Sequence, residues 1–449
     1  MASQAFPDDF EWGASTSAYQ IEGSVRADGR GESIWDRYSH TPRNVVNGDT
    51  GDVACDHYVR WRDDIDLMRE LQLDAYRFSI AWPRIIATGT SAVNEAGLDF
   101  YERLVDGLLA AGIAPFPTLY HWDLPQPLQD AGGWTNRATI DRFLDVVDVV
   151  TRRLGDRVPN WMTINEPLIA GHFGHSLGVM APGGRSWTDG LAASHHLLLA
   201  HGRAVEVVRG NVDGAKVGIV LNSMRAIPAS DSQSDADAAE RWDGIANRFY
   251  LQAIAGNGYP DDIHDLMAEH MPAIHDRDMS VIATPTDFLG VNYHAPMYVS
   301  AGQEPTGVSF AAPPPDVKTT DAGWPIQPDV LLDTLRRIHS VYYPGSIYIS
   351  VNGAAIDDPD PESGRVRDPR RIDYLAGHLD AVWRAIGDGV PVKGYFAWPL
   401  MDNFEWSQGY SKRFGLVHVD YATQTRTIKD SGRWYASVAD GNELTSTAR

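Results

Sequence analysis

Residues suited to proton transfer and to gripping hydroxyl groups recur at the ends of short β-type runs along this chain. An amide beside a carboxylate, Asn165-Glu166, closes one run, and His121-Trp122 closes another. Gln20 follows the first run, Arg77 lies in the second and Asn222 ends the fifth. Asn292-Tyr293-His294 ends the sixth, Val351-Asn352-Gly353 the seventh and Trp398 the eighth, with Glu405-Trp406 in the loop beyond. Amides and carboxylates fork onto neighbouring hydroxyls while indoles cover an apolar ring face, so the set suits a small polyhydroxylated ligand. Taken singly, each residue has a plainer reading. Gln20 or Asn222 alone is a loop or capping residue, His121 a satisfied core histidine, Arg77 the partner of a buried carboxylate and Glu405 surface charge. Their joint placement at one rim is what favours a ligand pocket.

That placement needs a scaffold that brings all the run ends together. Candidate strands are Glu11–Ser15, Ala75–Ile80, Ala114–Tyr120, Asn160–Asn165, Lys216–Leu221, Phe288–Asn292, Ile347–Val351 and Gly394–Trp398. Between them lie amphipathic stretches at Tyr58–Leu71, Glu95–Ala111, Arg137–Leu154, Gly190–Arg209, Asp235–Ala255, Pro328–Ser340 and Pro369–Asp388. Strand–helix alternation without a composition break predicts an α/β fold, a single (β/α)₈ TIM barrel over residues 1–449. In such a barrel the working residues sit at the C-terminal ends of the strands. Pro228–Asp237, polar and Ser-rich, and Ser300–Pro328, with Pro313-Pro314-Pro315, read as long loops of the kind that wall a site. Residues 441–449 read as a frayed tail.

Bulk properties narrow the partners. A formal net charge of −22 argues against nucleic acid or an anionic membrane. The lone Cys55 excludes an internal disulfide and fits a reducing compartment. No secretory pattern shows in Met1–Phe10, and no stretch is long and apolar enough to span a bilayer, so a cytoplasmic protein is expected. The 14 tryptophans and 18 tyrosines are consistent with sugar stacking and equally with a large core. The histidines lack ligand spacing such as His-Glu-x-x-His, so neither metal nor cofactor is expected. The composition leaves homo-oligomerisation open.

Longer motifs are more specific. Phe10-Glu11-Trp12-Gly13-Ala14-Ser15-Thr16-Ser17-Ala18-Tyr19-Gln20-Ile21-Glu22-Gly23 resembles the N-terminal signature of glycoside hydrolase family 1, the β-glucosidase family. Tyr76-Arg77-Phe78-Ser79-Ile80-Ala81-Trp82-Pro83-Arg84, His121-Trp122-Asp123-Leu124-Pro125 and Asn165-Glu166-Pro167 match as well. So do Asp402-Asn403-Phe404-Glu405-Trp406 and Gly409-Tyr410-Ser411-Lys412-Arg413-Phe414-Gly415, and the resemblance runs from about Phe6 to Ala439. It implies a small-molecule glycoside as substrate. Gln20, His121 and Glu405 would grip sugar hydroxyls with Trp406 beside them, Asn165 would contact the 2-hydroxyl, Trp398 would underlie the ring, and Glu166 would be the acid/base. Trp122, Asn222 and Asn292 complete the expected binding set.

The chain departs from the family where the family's nucleophile stands. The motif Thr-Glu-Asn-Gly is here Ser350-Val351-Asn352-Gly353, and the flanks fix the alignment without a gap. A retaining glycosidase needs two carboxyl groups about 5–5.5 Å apart, and valine has no lone pair to offer an anomeric carbon. His294 replaces a tyrosine that would donate to the nucleophile, and Pro399 replaces a serine after the platform tryptophan. One engineered change would explain Val351 but not Ser350, His294 and Pro399 as well, so the pattern reads as natural divergence.

Two electrostatic expectations follow. Glu166, without a like-charged neighbour, should have a lower pKa than in an intact pair and serve better as base than as acid. Arg77, deprived of an anionic partner, should seek another carboxylate, a bound ion or an anionic group on the ligand; a water or Glu405 is the plainer alternative. Three functions stay open. The first is glycoside processing by a non-classical route, with Glu166 as acid/base and His294 as base or nucleophile; an inverting variant would use a carboxylate such as Asp357 or Asp358. The second is a sugar-binding pseudoenzyme, and the third an ordinary retaining β-glucosidase carrying an inactivating substitution.

Overall fold

The computed structural model describes residues 4–90, 92–303, 305–342 and 345–444. Its centre is a closed barrel of eight parallel strands: β1 (Glu11–Ser15), β2 (Ala75–Ser79), β3 (Ala114–Tyr120), β4 (Asn160–Asn165), β5 (Lys216–Asn222), β6 (Phe288–Asn292), β7 (Ser346–Asn352) and β8 (Val392–Ala397). Neighbours in sequence are neighbours in the barrel, and β8 closes it against β1 with Gly394 opposite Glu11 and Ala397 opposite Ala14. The α/β barrel expected from the alternation is thus the observed fold, with strand bounds differing by no more than two residues at either end.

The barrel is filled rather than hollow. Ala75, Phe116, Met162, Val220, Phe288, Tyr348 and Phe396, from β2 to β8, form one buried cluster. β1 contributes glycine there: a Cβ on Gly13 would lie 2.4 Å from the Phe396 ring. Inward side chains stacked this way leave no pore, so a ligand can enter only from the strand ends.

Helices pack around the outside by the usual apolar spacing. In the helix Thr139–Leu154, Ile140, Phe143, Val147, Val150 and Leu154 are buried along one stripe. The expected helix Asp235–Ala255 is broken up as an α-helix Gln233–Asp243, a π-helical stretch Gly244–Arg248 and a second α-helix Phe249–Ile254.

Three readings need correction. Pro228–Asp237 is mostly ordered: Pro228 ends a strand (Ala226–Pro228), and a helix begins at Gln233 because the Ser232 side chain caps it by accepting from the Asp235 N–H. Ser300–Pro328 holds a hairpin in which Val308–Phe310 pairs antiparallel with Met297–Ala301, and Ala226–Pro228 extends this into a small sheet. Residues 441–444 are not frayed, since Glu443–Leu444 pairs with Gln4–Ala5. Residues 445–449 of that tail and 1–3 of the N-terminal stretch lie outside the described residues.

Candidate active site

At the C-terminal ends of the strands a cavity of about 430 Å³ opens, and most of the predicted site residues line it. His121, Trp122, Asn165, Glu166, Asn222 and Asn292 stand on its wall, as do His294, Val351, Trp398, Glu405 and Trp406. Two predicted residues do not. Gln20 is fully buried behind Glu405, donating to the Asn403 side chain, the Phe404 carbonyl and, at 3.4 Å, Glu405 Oε2. Arg77 lies beneath the floor with no exposed surface.

Backbone strain gathers here. Glu166 has φ of +46°, Trp122 +77° and Trp406 +50°, all in the left-handed region that side chains disfavour. Glu166 is held there by its N–H donating to the Val220 carbonyl of β5 at 2.8 Å, while its own carbonyl accepts from Ile169 in the next turn. The strain aims the carboxylate into the cavity just where β4 ends.

The polar floor is one connected network. Asn292 Nδ2 donates to Glu166 Oε1 at 2.8 Å and to Asn165 Oδ1 at 3.1 Å, and Asn292 Oδ1 accepts from the Ser350 hydroxyl at 2.7 Å. Arg77 Nη2 donates to Asn165 Oδ1 at 2.6 Å. These bonds fix both amide orientations, so Asn165 Nδ2 donates to His121 Nε2 at 3.1 Å. His121 Nδ1 must then carry the proton, and it is buried without a protein acceptor. A donor in that position on a cavity wall is ready for a ligand oxygen.

Arg77 does not behave as expected from its lost partner. Its Nε donates to Thr118 Oγ1 and lies beside Met162 Sδ, and its Nη1 donates to the Ser350 carbonyl at 3.2 Å. Together with Asn165, these neutral acceptors satisfy the guanidinium, which never reaches the cavity. The expectation of an anionic ligand group at Arg77 is therefore withdrawn. Burial lowers the Arg77 pKa to about 9, opposed by the charge of Glu166.

Val351 belongs to a separate apolar cluster with Ala355, Trp398 and Phe414, against which Ala322 and Trp324 pack. His294 stands at its edge, its ring 5.3 Å from Trp324 and 6.1 Å from Phe414. His294 Nδ1 lies 2.9 Å from the Gly353 carbonyl. A carbonyl only accepts, so Nδ1 carries the hydrogen and Nε2 a lone pair. Burial lowers the His294 pKa below its ordinary value, keeping the ring neutral.

Both cavity carboxyls are shifted upward. Burial raises Glu166 to about 7 against the opposing pull of Asn292 and Arg77, and raises Glu405 to about 8, with the charge of Glu166 adding to the rise. A carboxyl poised near neutrality can give as well as take a proton, so Glu166 is not confined to the expected base role. Asp357 and Asp358 are elsewhere. Asp357 is exposed, while Asp358 is locked between Arg371 Nη2 at 2.6 Å and Lys429.

Sequence reasoning missed the outer half of the cavity, lined by Phe173, Met180, Met224, Tyr298, Phe310 and Trp324. The only signal was the length of the segment 300–328, which does supply part of that wall.

A strand-end cavity in an eight-stranded β/α barrel, floored by amides and a strained carboxylate, defines a class of sugar-cleaving barrels, and the chain belongs to glycosyl hydrolase family 1. The family's sequence model matches residues 2–444. "Beta-glucosidase A" of Thermotoga maritima is 48% identical over 446 residues, covering 99% of this chain and 100% of that protein. "Beta-glucosidase A" of Acetivibrio thermocellus is 46% identical over 449 residues, covering 98% and 100%. The solved structure of the Thermotoga maritima enzyme in complex with glucoimidazole superimposes with a TM-score of 0.95 at 48% identity, over 98% of this chain and 100% of that one.

Proposed function

We propose that this protein processes a glycoside or glycoside-like metabolite by a route that forms no ester at residue 351. Glu166 serves as proton donor and His294 as base. The observation that carries this reading is the presence, in one cavity, of a carboxyl held near pH 7 and, beside the Val351 cluster, a neutral imidazole whose Nε2 is unprotonated. Glu166 gives its proton to the glycosidic oxygen as the C–O bond breaks. Water adds to the anomeric carbon from the Val351 side and passes a proton to His294 Nε2, and solvent then restores both groups. Such a single displacement inverts the anomeric centre. The relatives' β-glucosidase names support a β-glycoside as donor.

The test is the anomeric configuration of the first product, read by proton NMR from an aryl β-glucoside. An α-sugar is expected, and a β-sugar appearing first would overturn the route. Glu166→Gln should lower turnover by about 10²–10⁴-fold while leaving ligand affinity in place. A second reading, a sugar binder without turnover, is favoured by the apolar packing of Val351. It predicts no product from the native protein and unchanged affinity in Glu166→Gln.

A further inference from the structure

Behind the β7–β8 wall lies a cluster of charges that does not reach the cavity. Lys429, Arg371 and Arg413 meet Asp358, Asp368 and Asp402 there, three cations against three carboxylates. The side chains of all but Arg413 are at most 2% exposed. Lys429, the residue before the helix Asp430–Gly441, stands at the centre. Its Nζ donates to Asp402 Oδ1 at 2.7 Å and to Asp358 Oδ2. Asp358 lies in the loop after β7 and Asp402 in the loop after β8, so one ammonium joins the two loops. Arg371 repeats the link, its Nη1 donating to the Ala354 carbonyl at 2.6 Å and the Phe414 carbonyl at 2.9 Å.

Asp402 in turn anchors the segment that carries Glu405 into the cavity. Its Oδ1 also accepts from the Gly415 N–H at 2.9 Å, and its Oδ2 accepts from Arg413 at 2.6 Å. Three residues on, Glu405 lines the cavity, its N–H donating to the Gly409 carbonyl at 2.8 Å. Between them, Asn403 Oδ1 and the Phe404 carbonyl accept from Gln20 at 3.1 and 2.9 Å. Gln20, just after β1, ties the segment to one side of the barrel. Lys429 ties it to the other, where β7 carries Val351.

We infer that Lys429 is a positioning residue for Glu405. By clasping Asp402 to Asp358 it fixes the distance between the carboxyl that grips the sugar and the Val351 side of the cavity. The role given to Glu405 rests on the glycoside reading above. Buried ion pairs are seldom more stabilising than well-packed apolar side chains of the same volume, so stability does not explain six charges gathered at this spot. Geometry does. Short charge-assisted bonds from one ammonium to two carboxylates set their spacing more narrowly than apolar contact can. A binding group must be held to within about 0.5 Å of its working position. Lys429 is absent from the cavity wall, so its effect on a ligand passes through Asp402.

Lys429→Met combined with Asp358→Asn removes the clasp and leaves two cations facing two carboxylates, so the cluster keeps its charge balance. Lys429→Arg, which keeps the charge and alters the geometry, repeats the test should the first variant fold poorly. Affinity for methyl 1-thio-β-D-glucoside, which resists turnover, is measured by calorimetry in a double-mutant cycle with Glu405→Ala. In the native background Glu405→Ala should weaken binding by about ten-fold or more. In the clasp variant it should weaken binding by no more than about two- to three-fold further, because Glu405 is already out of place. Equal losses in the two backgrounds, the mark of a merely structural role, would overturn the inference. A crystal structure of the clasp variant gives a second reading that needs no ligand. The Glu405 carboxylate should move by about 1 Å or more relative to Asn165, and a carboxylate left in place would also overturn the inference. A native protein that does not bind the thioglucoside would instead overturn the glycoside reading, and the crystal structure would then decide the role of Lys429.

Discussion

The two walls that meet at the cavity floor treat charge in opposite ways. On the polar wall, Arg77 of β2, Asn165 of β4 and Asn292 of β6 are joined by hydrogen bonds, with Ser350 of β7 supplying both a hydroxyl and a carbonyl. On the β7–β8 wall, Val351 packs with Ala355, Trp398 and Phe414 and makes no polar contact with its side chain. The first wall holds a guanidinium among neutral dipoles; the second is built from apolar contact. The comparison teaches that a buried cation need not have a carboxylate beside it. Neutral acceptors can satisfy a guanidinium, at the expense of the long-range attraction a carboxylate would add.

Placing a carboxylate at residue 351 breaks this contrast most sharply. Val351→Glu should produce aryl β-glucosidase turnover with retention, on the order of 10³-fold above the native protein. His294→Tyr added to it should raise the rate further by returning a donor to the new carboxylate. An unchanged rate, with the product configuration of the native protein, would mean the polar wall has drifted too far to use a nucleophile.

Arg77 gives the next largest effect, and a double-mutant cycle reads it. In the native protein Arg77→Met should cost about 1–3 kcal/mol, the loss of hydrogen bonds without a broken charge pair. In the Val351→Glu background it should cost about 3–5 kcal/mol, because a buried carboxylate is then left unpaired. Equal costs in urea unfolding of the two backgrounds would show that the guanidinium does not sense position 351.

The carboxyls of the polar wall predict a pH dependence. Glu166 and Glu405 are raised by burial to about 7 and about 8, above their unfolded values. Their contribution to stability is therefore fully present below the unfolded pKa of about 4.3 and is lost as pH rises through the folded values. Above that window each ionised group opposes folding, by at most about 4 kcal/mol for Glu166 and about 5 kcal/mol for Glu405. Glu166→Gln and Glu405→Gln should thus raise the melting temperature at pH 8.5 more than at pH 5, and the reverse order would place these groups in a better solvated site.

The barrel was legible because alternating runs and helical stripes report burial directly, and all eight strands fall within two residues of where the sequence puts them. The inner site was legible because long motifs tie Asn165-Glu166, His121 and Glu405 to strand ends. The outer chamber was not. Phe310 reaches the cavity that Met224 lines on a hairpin that the sequence around Pro313 disguises as an irregular loop. Electrostatics were legible only in part, since the rise of Glu166 to about 7 comes from its depth of burial, which spacing does not report. The fate of Asp358 likewise depended on Arg371 and Lys429 arriving from distant segments.

The smallest predicted effect tests the apolar wall alone. Val351→Thr keeps the shape of the side chain and exchanges a methyl for a hydroxyl, which is not a neutral swap in an apolar setting. If the cluster of Ala355, Trp398 and Phe414 offers no acceptor, the buried hydroxyl should cost about 1–2 kcal/mol in chemical denaturation. Val351→Ala should cost a similar amount through the cavity it leaves. Should threonine prove neutral while alanine is costly, the hydroxyl has found a partner on the polar wall, and the two walls are less separate than the contrast between them implies. Should both be neutral, Val351 contributes no packing, and the apolar cluster would be a consequence of the vacated nucleophile position and not a structure that stabilises it.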